Sequence, residues 1–379
     1  MPQSLFRTFV FASAAALGLS FSLSPLSAAA AEAAASSSQT KAKLVPISAA
    51  AKPAKAAQGA KKTARAAKRT KAVRTAKVHR AAPKASAKRT SLKKRKLRAQ
   101  RRRPAAPSQA TLAGLRKTED PLRLGSSVAF AVDQDTGEEL VVKNADVPLP
   151  IASVTKLMTA LVVAESGLPL DQKIKITRDD YVRSSAVSKL RSGMVMTREA
   201  VLKAALMSSD NRAAHALART YPGGIREFIR LMNQKAAEIG MKDSYFADPT
   251  GLDNRNHATA RDLSKLVAAV YEYQTIRSAS TAPAATLRAG KRSVSLRTTN
   301  RLIGDPSWRI GIQKTGFTTA AGRCMVVQSE VGGRRLVMVV LDSPDNNQRA
   351  ADMRTMRAYV EGAQGFSEDF SEVLPYRLF

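Results

Sequence analysis

Ser153 and Lys156 stand three residues apart in Ser153-Val154-Thr155-Lys156, where a run of helix-forming residues begins that reaches Glu165. A serine hydroxyl is a poor nucleophile until a base takes its proton. Residues three apart on a helix share a face, so the Lys156 amine can reach the Ser153 hydroxyl. The unpaired N–H groups and dipole of a helix start favour negative charge at Ser153. The same field, with desolvation, favours a neutral lysine able to act as base. Taken alone, the pair also reads as a helix N-cap followed by a surface lysine. Two further strings bear on the choice. Ser209-Asp210-Asn211 comes 56 residues after Ser153, and Lys314-Thr315-Gly316 another 105 on. Each alone has an ordinary reading: an N-cap cluster for a helix over Arg212 to Arg219, and a turn closing a strand. A peptide can also pair with such a strand's edge, and Gly316, with no side chain, permits close approach.

The ordered set S-x-x-K, S-D-N and K-T-G resembles that of penicillin-binding proteins and class A β-lactamases, serine acyl-transferases of the bacterial cell wall and its antibiotics. The resemblance covers roughly Leu124 to Glu361. It implies that Ser153 is the acylated nucleophile, that Lys156 is its base, and that Ser209 relays a proton toward the leaving amine. Asn211 holds the substrate amide and helps fix Lys156; Asp210 is given no role. Lys314 and Thr315 hold the substrate's carboxylate and orient the serine pair, beside Gly316. The backbone N–H groups of Ser153 and Phe317 form the oxyanion hole. The implied substrates are peptidoglycan stem peptides, with β-lactam antibiotics as covalent inhibitors and no cofactor. Three His and one Cys in the whole chain make a Cys/His metal site hard to build. His215 and His257 are poor candidates for a triad, since there is no G-x-S-x-G.

A class A β-lactamase needs a second base to hydrolyse its acyl-enzyme, a glutamate after S-D-N. No Glu occurs here between Glu238 and Glu272. The segment instead carries Asp248-Pro249-Thr250-Gly251-Leu252 and Thr259-Ala260-Arg261-Asp262, which resemble low-molecular-mass DD-peptidases of the S11 type. Many carboxypeptidases of that group have His after K-T-G and a C-terminal β-rich domain with an amphipathic anchor. Phe317 follows K-T-G here, and the C-terminal stretch is not a basic amphipathic helix. The pattern lies closer to D-alanyl-D-alanine endopeptidases, with carboxypeptidase action as the alternative and β-lactamase action less favoured.

The formal charge of +32 is unevenly spread. Ala33 to Thr118 holds 26 Lys or Arg and no acid. Residues 32–117 lack Phe, Trp and Tyr and cannot bury enough apolar surface to offset their ordering entropy, so a disordered basic linker is expected. Ahead of it, Arg7, the apolar stretch Phe9 to Leu23 and Ser27-Ala28-Ala29-Ala30 read as an export signal over 1–31. That signal places the protein in the periplasm, soluble or loosely held at a surface. It argues against the nucleic-acid reading that a histone-tail-like segment would otherwise invite. A tether to anionic membrane or cell wall, and a plain spacer, remain.

One folded domain over 118–379 must then position the three strings. Ser127 to Val132 alternates as a strand, Asp135-Thr136-Gly137 turns, and Leu140 to Val142 returns. Thr197 and Thr259 are N-caps of helices over Ala200 to Met207 and Leu263 to Tyr271 in a largely helical middle. Strands return before Lys314, at Cys324 to Gln328 and at Leu336 to Leu341 about the Gly332-Gly333 turn, and a helix closes over Asn347 to Glu361. Strands at both ends of a helical middle predict an α+β fold of the β-lactamase/DD-peptidase kind: an antiparallel sheet flanked by helices, with a helical subdomain. Cys324, the sole cysteine, is expected to be a buried structural residue.

Overall fold

The computed structural model describes residues 106–369, with side chains to residue 362. The expected export signal and most of the expected basic linker lie outside the described residues. The start of the domain needs correction. Ser108 to Lys117, expected to belong to the linker, forms helix α1 (Gln109–Leu112) and a 3₁₀ turn (Leu115–Lys117). Ser108 caps α1, Ala110 is buried, and Thr111 Oγ1 and Arg116 donate to Asp342 at 2.9 and 2.8 Å. Charge composition hid this because its anchor is one acid far along the chain.

The frame is a five-stranded antiparallel sheet. It is built from β1 (Val128–Asp133) and β2 (Glu139–Lys143) at the start of the domain, and from β9 (Arg309–Thr318), β10 (Gly322–Val331) and β11 (Arg334–Ser343) near its end. The spatial order is β2-β1-β11-β10-β9. The first and last strands of the fold therefore meet in the β1–β11 pairing, in which Phe130 lies opposite Val339. The strand expected over Ser127 to Val132 is β1, and it is buried on both faces. Val128 and Phe130 join the core shared with the helical insertion, while Ala129 and Ala131 face a second core closed by Met353 and Met356 of the last helix, α8 (Asn346–Asp369). A strand covered on both sides needs apolar residues at every position.

The insertion holds α2 (Lys156–Glu165), α3 (Arg198–Met207), α4 (Asn211–Arg219), α5 (Gly224–Glu238), α6 (Ala260–Tyr271) and α7 (Gln274–Thr281). The predicted caps are present: Thr197 Oγ1 accepts from Ala200 N and Thr259 Oγ1 from Asp262 N. Helix α2 is the centre of this half. Every residue from Lys156 to Val163 is buried, so α2 has no solvent face before its last two residues and its apolar residues run all the way round it. Three short pairs complete the fold: β3 (Leu149–Pro150) with β6 (His257–Ala258), β4 (Lys173–Lys175) with β5 (Val195–Thr197), and β7 (Ala284–Ala289) with β8 (Arg292–Arg297). Among the described residues no helix is long and apolar enough to cross a membrane.

Candidate active site

Ser153 sits where β3 gives way to α2. The chain makes a 3₁₀ turn over Ala152–Thr155 before the α-helix begins at Lys156. In a 3₁₀ turn residues three apart eclipse each other, which brings serine and lysine closer than an α-helix would. Lys156 Nζ lies 2.8 Å from Ser153 Oγ. The turn starts from Ala152 at φ +48°, a left-handed conformation that alanine rarely adopts. Gly251, at φ +80°, lies directly behind it: a side-chain carbon there would collide with the Ala152 carbonyl.

Lys156 is 1% exposed. Its Nζ reaches two fixed acceptors besides Ser153: Asn211 Oδ1 at 2.7 Å and the Thr250 carbonyl at 2.6 Å. A neutral amine has two N–H groups and one lone pair. With both hydrogens given to these acceptors, the lone pair is left facing Ser153 Oγ. Burial drives the Lys156 pKa down to about 7, against the opposing pull of Asp248 and Asp210. The Thr250 carbonyl is held by its loop: Asp248 accepts from the N–H groups of Thr250 and Gly251 at 3.2 and 2.9 Å, and Asn256 Nδ2 donates to Asp248 Oδ1 at 2.5 Å. This gives the Asp248-Pro249-Thr250-Gly251 segment a physical task that its sequence did not reveal.

Ser209 also occupies the left-handed region, at φ +58°, between α3 and α4. Lys314 Nζ donates to Ser209 Oγ at 2.9 Å and to the Thr315 carbonyl at 2.7 Å. Lys314 is fully buried, and its amine is held well below the usual lysine range by burial, then by the nearby Lys156 and Arg349 charges. Asn211 bridges the two halves of the site, accepting from Lys156 and donating from Nδ2 to Ser184 Oγ at 3.1 Å. Asp210 caps α4 through Ala213 N at 3.1 Å and accepts from Ser188 Oγ at 2.9 and 2.8 Å.

Lys314-Thr315-Gly316 was expected at a strand end. It lies inside β9, which continues to Thr318. β9 is the last strand of the sheet: Lys314 pairs with Val326 and Gly316 with Cys324 on one side, and the other edge faces the serine. A Cβ on Gly316 would stand 2.8 Å from the Ile151 carbonyl and 3.1 Å from the Ser153 nitrogen, so only glycine lets the strand and the serine turn approach this closely. Phe317, about half exposed, lies under the Arg323 guanidinium, 4.6 Å from its ring centre. Thr315 Oγ1 is 2.6 Å from Thr299 Oγ1. Next to Ser209 and Asn211 opens a cavity of about 640 Å³, walled by Ala186 to Lys189 and by the β7–β8 pair.

All eight residues singled out from the sequence (Ser153, Lys156, Ser209, Asn211, Lys314, Thr315, Gly316 and Phe317) thus gather where α2, the start of α4 and the edge of β9 meet. The two set-aside histidines lie elsewhere: His215 bonds Asp180 at 3.1 Å, and His257 Nδ1 faces the Arg255 carbonyl at 2.8 Å. Cys324 is buried, and burial pushes its thiol up to about 12. Sequence reasoning missed the Thr250 carbonyl, Ser184 and Thr299. The first acts through its backbone, and the others are single hydroxyl residues outside any recognisable string.

A family model described as D-alanyl-D-alanine carboxypeptidase matches residues 115–345, the span that contains all of these groups. The chain belongs to that peptidase family. This peptidase is 41% identical over 244 residues to a D-alanyl-D-alanine endopeptidase of Pseudomonas aeruginosa, covering 64% of this chain and 79% of that protein. It is 38% identical to the D-alanyl-D-alanine endopeptidase of Escherichia coli, with 68% and 84% covered. Among solved structures it resembles Penicillin-Binding Protein D2 from Listeria monocytogenes in the ampicillin-bound form, with a TM-score of 0.56, 30% identity, and 63% and 99% covered. The mixed helix and antiparallel sheet architecture is that of these DD-peptidases. Among the described residues, the only hydrogen-bond partner of the peptidase's Ser153 hydroxyl is the Lys156 amine.

Proposed function

We propose that this chain is a periplasmic serine DD-endopeptidase that cuts D-alanyl cross-links in peptidoglycan through an acyl-enzyme on Ser153. The observation that carries the reading is the Lys156 amine, buried, depressed to about 7, with two fixed acceptors and Ser153 Oγ as its third neighbour. The names of the relatives from Pseudomonas aeruginosa and Escherichia coli support the endopeptidase choice. The family's description supports the second reading, removal of a terminal D-alanine by the same chemistry.

In this reading the substrate lies along the free edge of β9, with its scissile carbonyl against Ser153. Lys156 Nζ takes the Ser153 proton as Oγ attacks the carbonyl carbon. The oxyanion that forms is met by the backbone N–H groups of Ser153 and Phe317. Such a donor contributes about 10²–10³ in rate. When the C–N bond breaks, Lys156 gives up the proton it took, the departing amine gains it by way of Ser209 Oγ, which Lys314 Nζ holds in place, and Lys156 is neutral again with the acyl group left on Ser153 Oγ. Thr315 and Lys314 hold the carboxylate of the leaving residue. Water then attacks the ester, returning the hydroxyl to Ser153 and releasing the acid. A β-lactam follows the first half of this path. The ampicillin-bound form of the Listeria monocytogenes relative supports the binding of a β-lactam.

The basic segment holds the enzyme to an anionic membrane or wall surface by charge, each Lys or Arg near an anionic membrane adding about 1 kcal/mol. Sedimentation with anionic vesicles should separate the full chain from a form lacking 33–107 at low salt and not at high salt. Equal sedimentation at low salt rejects tethering. The catalytic reading is tested by digesting cross-linked and uncross-linked muropeptides with the wild type and Ser153→Ala. Loss of dimers without Ser153, or penicillin labelling that survives Ser153→Ala, would overturn it.

A further inference from the structure

We propose that the cavity beside Ser209 is a subsite for the amine-side stem peptide of a cross-link, and that Arg297 recognises a carboxylate on that peptide. The inference rests on the endopeptidase reading above. It follows from the direction in which a substrate must cross the site. The acyl carbonyl belongs at Ser153 and Phe317, and the carboxylate of the leaving residue at Thr315. Thr315 Oγ1 touches Thr299 Oγ1 at 2.6 Å. A chain that continues past that carboxylate therefore passes Thr299 toward the end of β8. Two residues before Thr299, at the end of β8, stands Arg297, and it lines the cavity.

The charges around this space differ in how far they are engaged. Asp210 is occupied by Ser188 Oγ and Ala213 N. Lys189 Nζ donates to the Ser295 carbonyl at 2.8 Å, closing the cavity wall against β8. Arg297 is exposed, and among the described residues its guanidinium makes no hydrogen bond or ion pair. Its free donors form the planar fork that suits a carboxylate. The cavity, at about 640 Å³, has room for several residues of peptide. A terminal D-alanine ends at the carboxylate held by Thr315 and does not reach Arg297. A cross-link carries a second stem peptide, with its own carboxylates, into the cavity. Arg297 is thus a specificity residue that favours cross-linked over uncross-linked substrate.

The test compares the full chain with Arg297→Ala and Arg297→Glu on cross-linked muropeptide dimers, on the same dimers with amidated carboxyl groups in the amine-side stem, and on uncross-linked pentapeptides. The dimer kcat/KM should fall about tenfold in Arg297→Ala and further in Arg297→Glu, mainly through KM, the scale of one charge-assisted contact. The pentapeptide rate should fall far less. Amidated dimers should be poorer substrates for the wild type and should make no difference to Arg297→Ala. Calorimetric binding of dimers to Ser153→Ala should weaken by the same factor when Arg297→Glu is added. Equal dimer affinity with and without Arg297→Glu overturns the subsite whatever bond the enzyme cuts. A wild type that trims pentapeptides and binds dimers through Arg297 without cleaving them overturns the endopeptidase reading while supporting the subsite.

Discussion

The acylation rate should report the charge on Lys156. The perturbation is pH, and the structure supplies both the midpoint and the sign. Burial lowers the Lys156 pKa to about 7. Below that pH the amine is protonated, has no lone pair for the Ser153 proton, and the rate is lost; above it the amine is neutral and the rate is present. With a midpoint near 7 the neutral fraction is about a tenth at pH 6, half at pH 7 and nine tenths at pH 8, so the rate rises about tenfold over those two units and then levels. A lysine at its ordinary value near 10.4 would give about a hundredfold rise over the same interval and no plateau. The assay is the second-order rate of labelling by a fluorescent penicillin between pH 5.5 and 9, in the full chain. The midpoint belongs to Lys156 and the nearby Lys314 together, since the two amines interact. Asp210 raises the Lys156 value, so Asp210→Asn, which keeps a capping side chain, should move the midpoint to lower pH. Lys156→Arg should not acylate at any of these pH values, because guanidinium stays protonated. A rate still climbing log-linearly at pH 9, or near-normal labelling of Lys156→Arg, would refute the assignment of Lys156 as base.

Further outcomes follow from the same geometry. Lys314→Ala should lose about a hundredfold or more in acylation, the size of losing a donor at a reacting centre, while circular dichroism shows a folded protein; the Ser209 hydroxyl loses its only amine partner among the described residues. Gly251→Ala should cost roughly 1–3 kcal/mol in urea unfolding and most of the acylation rate, because a side chain at this positive φ is strained and drives into the Ala152 carbonyl that shapes the serine turn. Cys324 should resist iodoacetamide at pH 8 in the native protein and react on unfolding, as burial holds its thiol near 12. Leu157→Ala, on the helix that carries Lys156, should destabilise by about 2–5 kcal/mol in the same urea assay, since Leu157 is fully buried.

Much of this protein is written in local sequence. Thr197, Asp210 and Thr259 cap their helices because a short side-chain oxygen can reach an N–H two or three residues on, whatever the rest of the fold does. The Gly332-Gly333 turn and the apolar runs beside it produce the β10–β11 hairpin for the same local reason. The candidate site was legible too, because Ser153, Lys156, Ser209, Asn211 and Lys314, which the structure brings together, are side chains whose types and order are visible in a string. Tertiary structure decided what those groups are able to do. Lys156 is poised near pH 7 because α2 is buried on every side, and no property of the α2 sequence alone removes the water. Its second fixed acceptor is a backbone carbonyl at Thr250, which every residue type possesses and no motif can mark. The same holds for β1, whose second buried face exists only because α8 returns to cover it, and for Ser108 to Lys117, ordered by the distant Asp342. Local sequence decided which groups and elements exist; packing between distant segments decided their solvation and their partners, and so which of them can exchange a proton.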